Sequence, residues 1–250
     1  ALYEGSFNLT ASAVVRAVAV RVSTGGGGGP PGLRVWDLAD DWSDTPPDSF
    51  DAVVLNSIVQ YFPDADYLLR VLAGAVEATA PGGLVFIGDV RSLPLLDTFL
   101  ASIELHDAPP STALEEIGRR VRGRFARENE LVLDPEFFTA LPGKLPGISH
   151  VEIRAKHGRG ANELTKYRYD VLLSVGDVGP DAEPIQWRDW SDGALGLDEM
   201  RALLGDNASE TVGVRCVPNA RVAADRRTRA AIANEPETTV AELREQLDAA

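Results

Sequence analysis

The sequence predicts an α/β protein with a doubly wound, mostly parallel sheet, and three features carry the prediction. Ala52-Val53-Val54-Leu55 and Leu84-Val85-Phe86-Ile87-Gly88 are apolar runs without alternation, as expected of strands covered on both faces. Between them, residues 64–80 place Leu68, Leu69, Leu72 and Val76 on one helical face, with Asp64 or Asp66 as N-cap and Pro81-Gly82-Gly83 as terminator. Strand, helix, Pro-Gly-Gly, strand is the written form of a βαβ crossover.

The remaining elements follow in order. Residues 11–23 (ASAVVRAVAVRVS) fit either a helix or an alternating strand, and helix is favoured because Val14, Ala17, Val18 and Arg21 share a face. Residues 23–32 (STGGGGGPPG) form a flexible boundary closed by two prolines. LRVW at 33–36 is a short strand. From Ser92 to about Pro146 the pattern turns helical, with Arg119, Arg120, Arg122, Arg124 and Arg127 in one charged amphipathic stretch, and reads as an inserted lid. HVEIRAKHG and TKYRYDVLLSVG read as two antiparallel strands. The remainder is loop-rich, with a helix at LDEMRALLG, a strand at TVGVRCV and an acidic helix at TVAELREQLDAA; residues 219–239 read as connecting helix and linker rather than core.

Composition narrows the function. The 250 residues hold 24 Lys and Arg against 38 Asp and Glu, a net charge of −14, which leaves no basic stripe to neutralise phosphates and argues against nucleic-acid binding. A single cysteine, Cys216, can form neither an internal disulfide nor a zinc site, which points to a reducing, cytoplasmic setting. No run approaches the roughly 20 apolar residues of a membrane span, and the opening ALYEGSFNLT has neither the basic nor the apolar region of a signal peptide. His150 and His157 lie at no metal-ligand spacing with a Cys or carboxylate cluster, so no metal site is predicted.

In an open parallel sheet, ligands bind beyond the carboxyl ends of the strands. Three polar clusters stand there: Asp40 and Asp41 after LRVW, Asn56 to Phe62 after AVVL, and Asp89 with Arg91 after VFIG. Any one acid also serves as a helix cap or solvated loop charge; the three together mark a cleft.

The words VVLNSIVQYFP, DYLLRVL, APGG, GDVRSLPLL, IELHDAP, ANELTKYRYDVLL and VPNARVA, in that order, carry a more specific signal. From about Gly5 to Leu247 the chain resembles the methyltransferase domains that interrupt adenylation domains of nonribosomal peptide synthetases. The resemblance implies a Rossmann-like class I methyltransferase sheet with helices on both faces. Residues 1–178 would be the core, with the lid at about 92–146, 179–217 an extension with an extra strand, and 218–250 a helical linker toward the next synthetase segment. It implies S-adenosylmethionine as methyl donor, S-adenosylhomocysteine as product, and an aminoacyl-phosphopantetheine acceptor. The partners would be the adenylation and carrier domains of the same synthetase, and neither nucleic acid nor membrane. Methylation of the α-amine is the commoner activity of such domains and side-chain methylation the rarer.

One feature of the family has no counterpart. Class I methyltransferases open with a strand and a loop of the form E-x-G-x-G-x-G; the run Gly25 to Gly29 leads into Pro-Pro-Gly and a strand, so it reads as linker. The chain is expected to begin at the second strand, with Asn8 where the family has a ribose-gripping acid. The strand at 52–55 would then lack a neighbour on one side, a costly open edge, unless another segment supplies one. A non-catalytic scaffold is the alternative that this gap keeps open.

Residue roles follow from the resemblance. Asp40, with Asp41 beside it, would lie on the adenine side of the cofactor pocket, and Asn56 and Ser57 would line the methionine moiety. Gln60 and Tyr61 would orient the acceptor amine, unless they are an ordinary helix start with packing residues. Glu163, with Asn162 before it, is the candidate carboxylate near the acceptor, or else a turn residue paired with Lys166 or Arg168. Asp89 and Arg91 would contact the acyl chain or form an ion pair that fixes the loop, the latter preferred. His106 would stand above the acceptor in the lid, or be a surface residue. Because carrier domains are themselves usually acidic, the substrate is expected to arrive by tether rather than by net-charge attraction.

Overall fold

In the computed structural model, the described residues are 17–20, 33–36, 42–158, 160–176, 186–190, 197–206 and 212–249. The chain is mixed α/β around a seven-stranded sheet. Its strands are β1 (Ala17–Val20), β2 (Leu33–Trp36), β3 (Phe50–Asn56), β4 (Thr79–Ser92), β5 (Val132–Leu133), β6 (Ile148–Ala155) and β7 (Arg168–Val175). Their order is β2-β1-β3-β4-β7-β6, with β5 alongside the end of β4. β3 and β4 are parallel, joined by helix α1 (Ala65–Ala78); β7 is antiparallel to β4 and β6.

The crossover forms as the sequence predicts. Asp64 is the N-cap, its carboxylate accepting the Tyr67 N–H at 2.7 Å, and Leu68, Val71, Leu72 and Ala75 of α1 are buried against Val53, Leu55, Val85, Ile87, Val171 and Leu173 of the sheet. Each fully buried aliphatic side chain contributes roughly 1.5–3 kcal/mol, so this cluster holds β3 and β4 in register.

The edge of β3 is covered, but from an unexpected source. Ala17–Val20, expected as helix, is a strand that pairs antiparallel with both β2 and β3, setting Val18 opposite Val54 and Val35. The alternation of Val18 and Val20 outweighs the helical spacing, because a strand here satisfies two rows of backbone groups that would otherwise stay open. β3 therefore has one parallel and one antiparallel neighbour.

Beyond β4 the chain forms α2 (Leu93–Asp107), α3 (Leu114–Phe125) and the short α4 (Pro135–Thr139), a helical insertion in agreement with the pattern. α5 (Glu163–Tyr167) links β6 to β7. A separate two-stranded parallel sheet joins β8 (Gln186–Asp189) and β9 (Val212–Arg215), with α6 (Leu197–Asp206) between them in sequence. The C-terminal stretch is helical as expected, forming α7 (Ala223–Asn234) and α8 (Val240–Asp248), but it packs rather than merely connects: Ala231, Ile232, Val240 and Leu243 are buried with Leu96, Leu100, Leu114 and Ile117 of α2 and α3. A spacing of one apolar residue per turn among Ala and Arg hides this face in the sequence.

Candidate active site at the ends of two parallel strands

β3 ends at Asn56, and Ser57 then turns into the left-handed region, with φ +57°. Next to it, β4 shifts register against β7 between Ile87 and Val90, and Asp89 within that bulge has φ +63°. A left-handed conformation at a residue with a Cβ is uncommon, and a bulge re-aims the side chain it carries. The two irregular residues meet: the Ser57 N–H donates to the Gly88 carbonyl at 3.1 Å, and the Ser57 hydroxyl donates to Asp89 Oδ2. A Cβ at Gly88 would collide with Asn56 Oδ1 and stand 2.8 Å from the Phe86 ring, so both side chains would have to move to admit one.

The bulge is held from the other side. Lys156 Nζ lies 2.8 Å from Asp89 Oδ1 and 2.9 Å from Asp170 Oδ1, while Asp170 Oδ1 also accepts the Asp89 N–H at 3.0 Å. The backbone donor freed by the bulge is thus satisfied by a side chain. Burial would raise the Asp89 carboxyl, but hydrogen bonds from Lys156 and Ser57 and the charges of Lys156 and Arg168 outweigh it and hold Asp89 below the usual carboxylate range. Burial would likewise lower Lys156; its two carboxylate partners hold it above the usual lysine value. Asp89 is therefore a fixed negative charge with both oxygens occupied, not a free base.

Gln60 is buried, its Nε2 donating to the Ser57 carbonyl at 3.0 Å and its backbone carbonyl accepting from Leu131 at 2.8 Å. Its Oε1 has no hydrogen-bond partner among the described residues. Tyr61 is 39% exposed beside it.

A second group surrounds Arg91. Its guanidinium pairs with Glu128 and Glu130, each at 2.9 Å, and lies over the Phe99 ring. The preferred expectation for Arg91, an ion pair that fixes a loop, matches this geometry, although the partners come from 128–130. A small recess there is lined by Arg91, Phe99, Glu163, Tyr167 and Arg168. Asn162 caps α5 by accepting the Thr165 N–H at 3.1 Å, and Glu163 pairs with Arg168 at 2.8 Å, one of the two bland partners expected for it. Lys166 and the Tyr167 hydroxyl both bind Asp225 at 2.8 Å. Burial, with the Asp225 charge, pushes the Tyr167 phenol far above its ordinary value, so it stays protonated.

Asn56, Ser57, Gln60, Tyr61 and Asp89 thus come together, and Arg91 and Glu163 line the neighbouring recess, with Asn162 capping the helix that carries Glu163. His106 does not join them. It is exposed in the last turn of α2, and at 1.5 Å per residue it stands about 20 Å along the helix from Leu93; its carbonyl, with those of Leu105 and Ala108, faces Arg244 of α8. Its exposure agrees with the surface alternative given for it. Asn8, Asp40 and Asp41 lie outside the described residues. Three residues that the sequence reading did not single out matter here: Lys156 and Asp170 as anchors of Asp89, and Arg221, which donates to the carbonyls of Lys156, Gly158 (2.9 Å) and Thr165 (3.4 Å) and so pins the link between β6 and α5. Asp170 had a visible signal, a lone acid directly before the apolar run Val171-Leu172-Leu173 of its strand.

The described wall suits the amino-acid end of a cofactor: an exposed amide at Asn56, a hydroxyl at Ser57 and a glycine between strands. No group of His, Cys, Asp and Glu among the described residues is arranged to hold a metal ion, and no described helix is long and apolar enough to cross a membrane.

No protein-family profile matches the chain. Among curated proteins it is 45% identical over 192 residues to chondramide synthase of Chondromyces crocatus, covering 75% of this chain and 5% of that protein. It is 47% identical over 135 residues to a probable non-canonical nonribosomal peptide synthetase of Salinispora arenicola (54% of this chain, 2% of that protein) and 38% identical over 176 residues to the beauvericin nonribosomal cyclodepsipeptide synthetase of Beauveria bassiana (67% and 6%). The chain spans 2–6% of the length of these relatives. Solved structures include a possible histamine N-methyltransferase of Thermotoga maritima, 16% identical with a TM-score of 0.33 over 56% of this chain and 61% of that one. Another is an S-adenosylmethionine-dependent methyltransferase of Methanosarcina mazei, 14% identical with a TM-score of 0.35 over 56% and 65%.

Proposed function

We propose that this chain, a member of the methyltransferase-domain family of nonribosomal peptide synthetases, transfers a methyl group from S-adenosylmethionine to the α-amine of an aminoacyl thioester. The acceptor would be carried by the phosphopantetheine arm of a carrier domain in the same cytoplasmic synthetase. The observation that carries the reading is the junction of Asn56-Ser57 with Gly88-Asp89 at the carboxyl ends of two parallel strands, where such sheets bind their ligands.

S-adenosylmethionine supplies an electrophilic methyl on a sulfonium, so the protein has to align, desolvate and accept a proton. Asn56 and Ser57 bind the cofactor's amino-acid end, with Ser57 fixed in its left-handed turn by Asp89. Gln60 braces the Ser57 carbonyl from its buried position, and Tyr61 offers an exposed phenol to orient the amine. Glu163 gives one oxygen to Arg168 and keeps the other for the proton that the amine releases. Arg91 and its two glutamates hold 128–130 against this face and limit the entry of water.

Calorimetric titration with S-adenosylhomocysteine is the first test. Binding is expected; a flat titration at high protein concentration would leave a domain that keeps the fold without the chemistry. Mass spectrometry of the methylated product then separates nitrogen from oxygen as the acceptor.

A further inference from the structure

The short helix that carries Glu163 cannot hold its own place. α5 is five residues long, far below the roughly 12–15 residues under which isolated helices are marginal, so its orientation is set by what it is bonded to. At its start, Asn162 and Thr165 form a reciprocal cap. At its end, three of its five residues are bonded to one turn of the C-terminal segment. Asp225 Oδ2 accepts from Lys166 Nζ and from the Tyr167 hydroxyl, each at 2.8 Å, and Arg221 donates to the Thr165 carbonyl at 3.4 Å.

The same guanidinium reaches across to the exit of β6, where it donates to the carbonyls of Lys156 and, at 2.9 Å, Gly158. Arg221 thus bridges the two ends of the link that runs from Lys156, the cation on Asp89, to Glu163. Its planar fork suits several acceptors at once, where an ammonium is a single point of charge. The turn that carries it is itself fixed. Asn219 accepts the Arg221 N–H at 3.1 Å, Val222 is 1% exposed, and α7 continues to Ala231 and Ile232 in the apolar core shared with α2 and α3.

We infer that Arg221 and Asp225 are positioning residues for methyl transfer, which act through α5 to set the Glu163 carboxylate against the ends of β3 and β4. This rests on the reading of Glu163 as the group that takes the amine proton. Proton transfer needs its base within hydrogen-bond reach of the amine, and a displacement of about 1 Å costs about 10²-fold in rate. Arg168, directly after α5, holds one oxygen of Glu163 at 2.8 Å, so a helix that tilts carries the whole pair with it.

The test sets R221A, R221K and D225N beside R229A, which breaks the Arg229–Asp97 pair of α7 without touching α5. Amide hydrogen exchange is read over residues 163–167, S-adenosylhomocysteine affinity by calorimetry, and kcat and KM with the carrier-bound aminoacyl group. R221A and D225N are each expected to speed exchange in 163–167 and to lower kcat by about tenfold or more, with S-adenosylhomocysteine affinity unchanged. R221K, which keeps the charge and loses the fork, is expected to show the same losses at smaller size, and R229A neither of them. In an E163Q background the kcat loss caused by R221A is expected to vanish, because residues that act through one group are not additive. Losses that add in E163Q/R221A, or exchange in 163–167 unaltered by R221A and D225N, overturn the positioning role. Faster exchange in variants of a chain that methylates no acceptor keeps the clamp on α5 and rejects the functional reading instead.

Discussion

Lys156 is the residue on which the strand ends depend most. Its ammonium sits between Asp89 and Asp170, both largely buried, and Asp89 holds Ser57 in turn. Replacing it by Met leaves two carboxylates facing each other without a cation, for which a cost of about 3 kcal/mol is expected, read as a fall in the denaturation midpoint. The same network sets a pH dependence. Asp89 titrates below an ordinary carboxylate, so its contribution is fully present above the unfolded-state value and is lost as pH falls through the folded one. The stability gap between the unmodified protein and D89N is therefore expected to be widest at neutral pH and to close on acidification; a gap that stays constant to pH 3 would show that the carboxylate charge contributes nothing. Gly88 gives a complementary probe. G88A drives a methyl group into Asn56 Oδ1 and the Phe86 ring, so it is expected to weaken S-adenosylhomocysteine binding at least about tenfold, with the far-ultraviolet dichroism retained.

Among the elements, legibility followed how much of the signal is local. The βαβ unit could be read because its apolar runs, its Asp64 cap and its Pro-Gly-Gly stop are all local. β1 could not, because Ala-Val repeats satisfy both periods and the choice was made by distant partners, β2 and β3. The site divides in the same way. Asn56, Ser57 and Asp89 are visible as polar residues after strands, whereas Lys156 gains its meaning only when β6 and β7 fold beside β4. Where His106 stands relative to the strand ends depends on the length and direction of α2, which the residues around it do not encode. The strand assignment of β1 has a direct test. Since β1 lies between two partners, each of its backbone N–H groups faces one or the other, and A19P removes a ladder bond within the sheet. A loss of about 3 kcal/mol, with reduced hydrogen-exchange protection in β3, is expected; unchanged β3 protection would contradict the pairing.

At the scale of the molecule, two apolar cores meet at the end of β4, where strand passes directly into α2. The first lies between the sheet and α1; the second lies among α2, α3, α7 and α8 and draws on residues more than a hundred positions apart. Arg244 ties the last helix to the open end of α2 through three carbonyls, and Leu114 and Glu115 donate to the carbonyls of Thr238 and Pro236. A linker would make no such bonds, so the distinction can be tested by truncation. A chain ending at Pro218 leaves Leu96, Leu100, Leu114, Ile117 and Val121 facing solvent. At roughly 1.5–3 kcal/mol per large apolar side chain returned to water, the second core cannot persist. The truncated chain is expected to lose helical dichroism and to be cleaved by protease within residues 93–125, while β3, β4 and β7 stay protected from hydrogen exchange. A truncated chain with an unshifted melting curve and an intact 93–125 segment would return residues 219–249 to the role of linker.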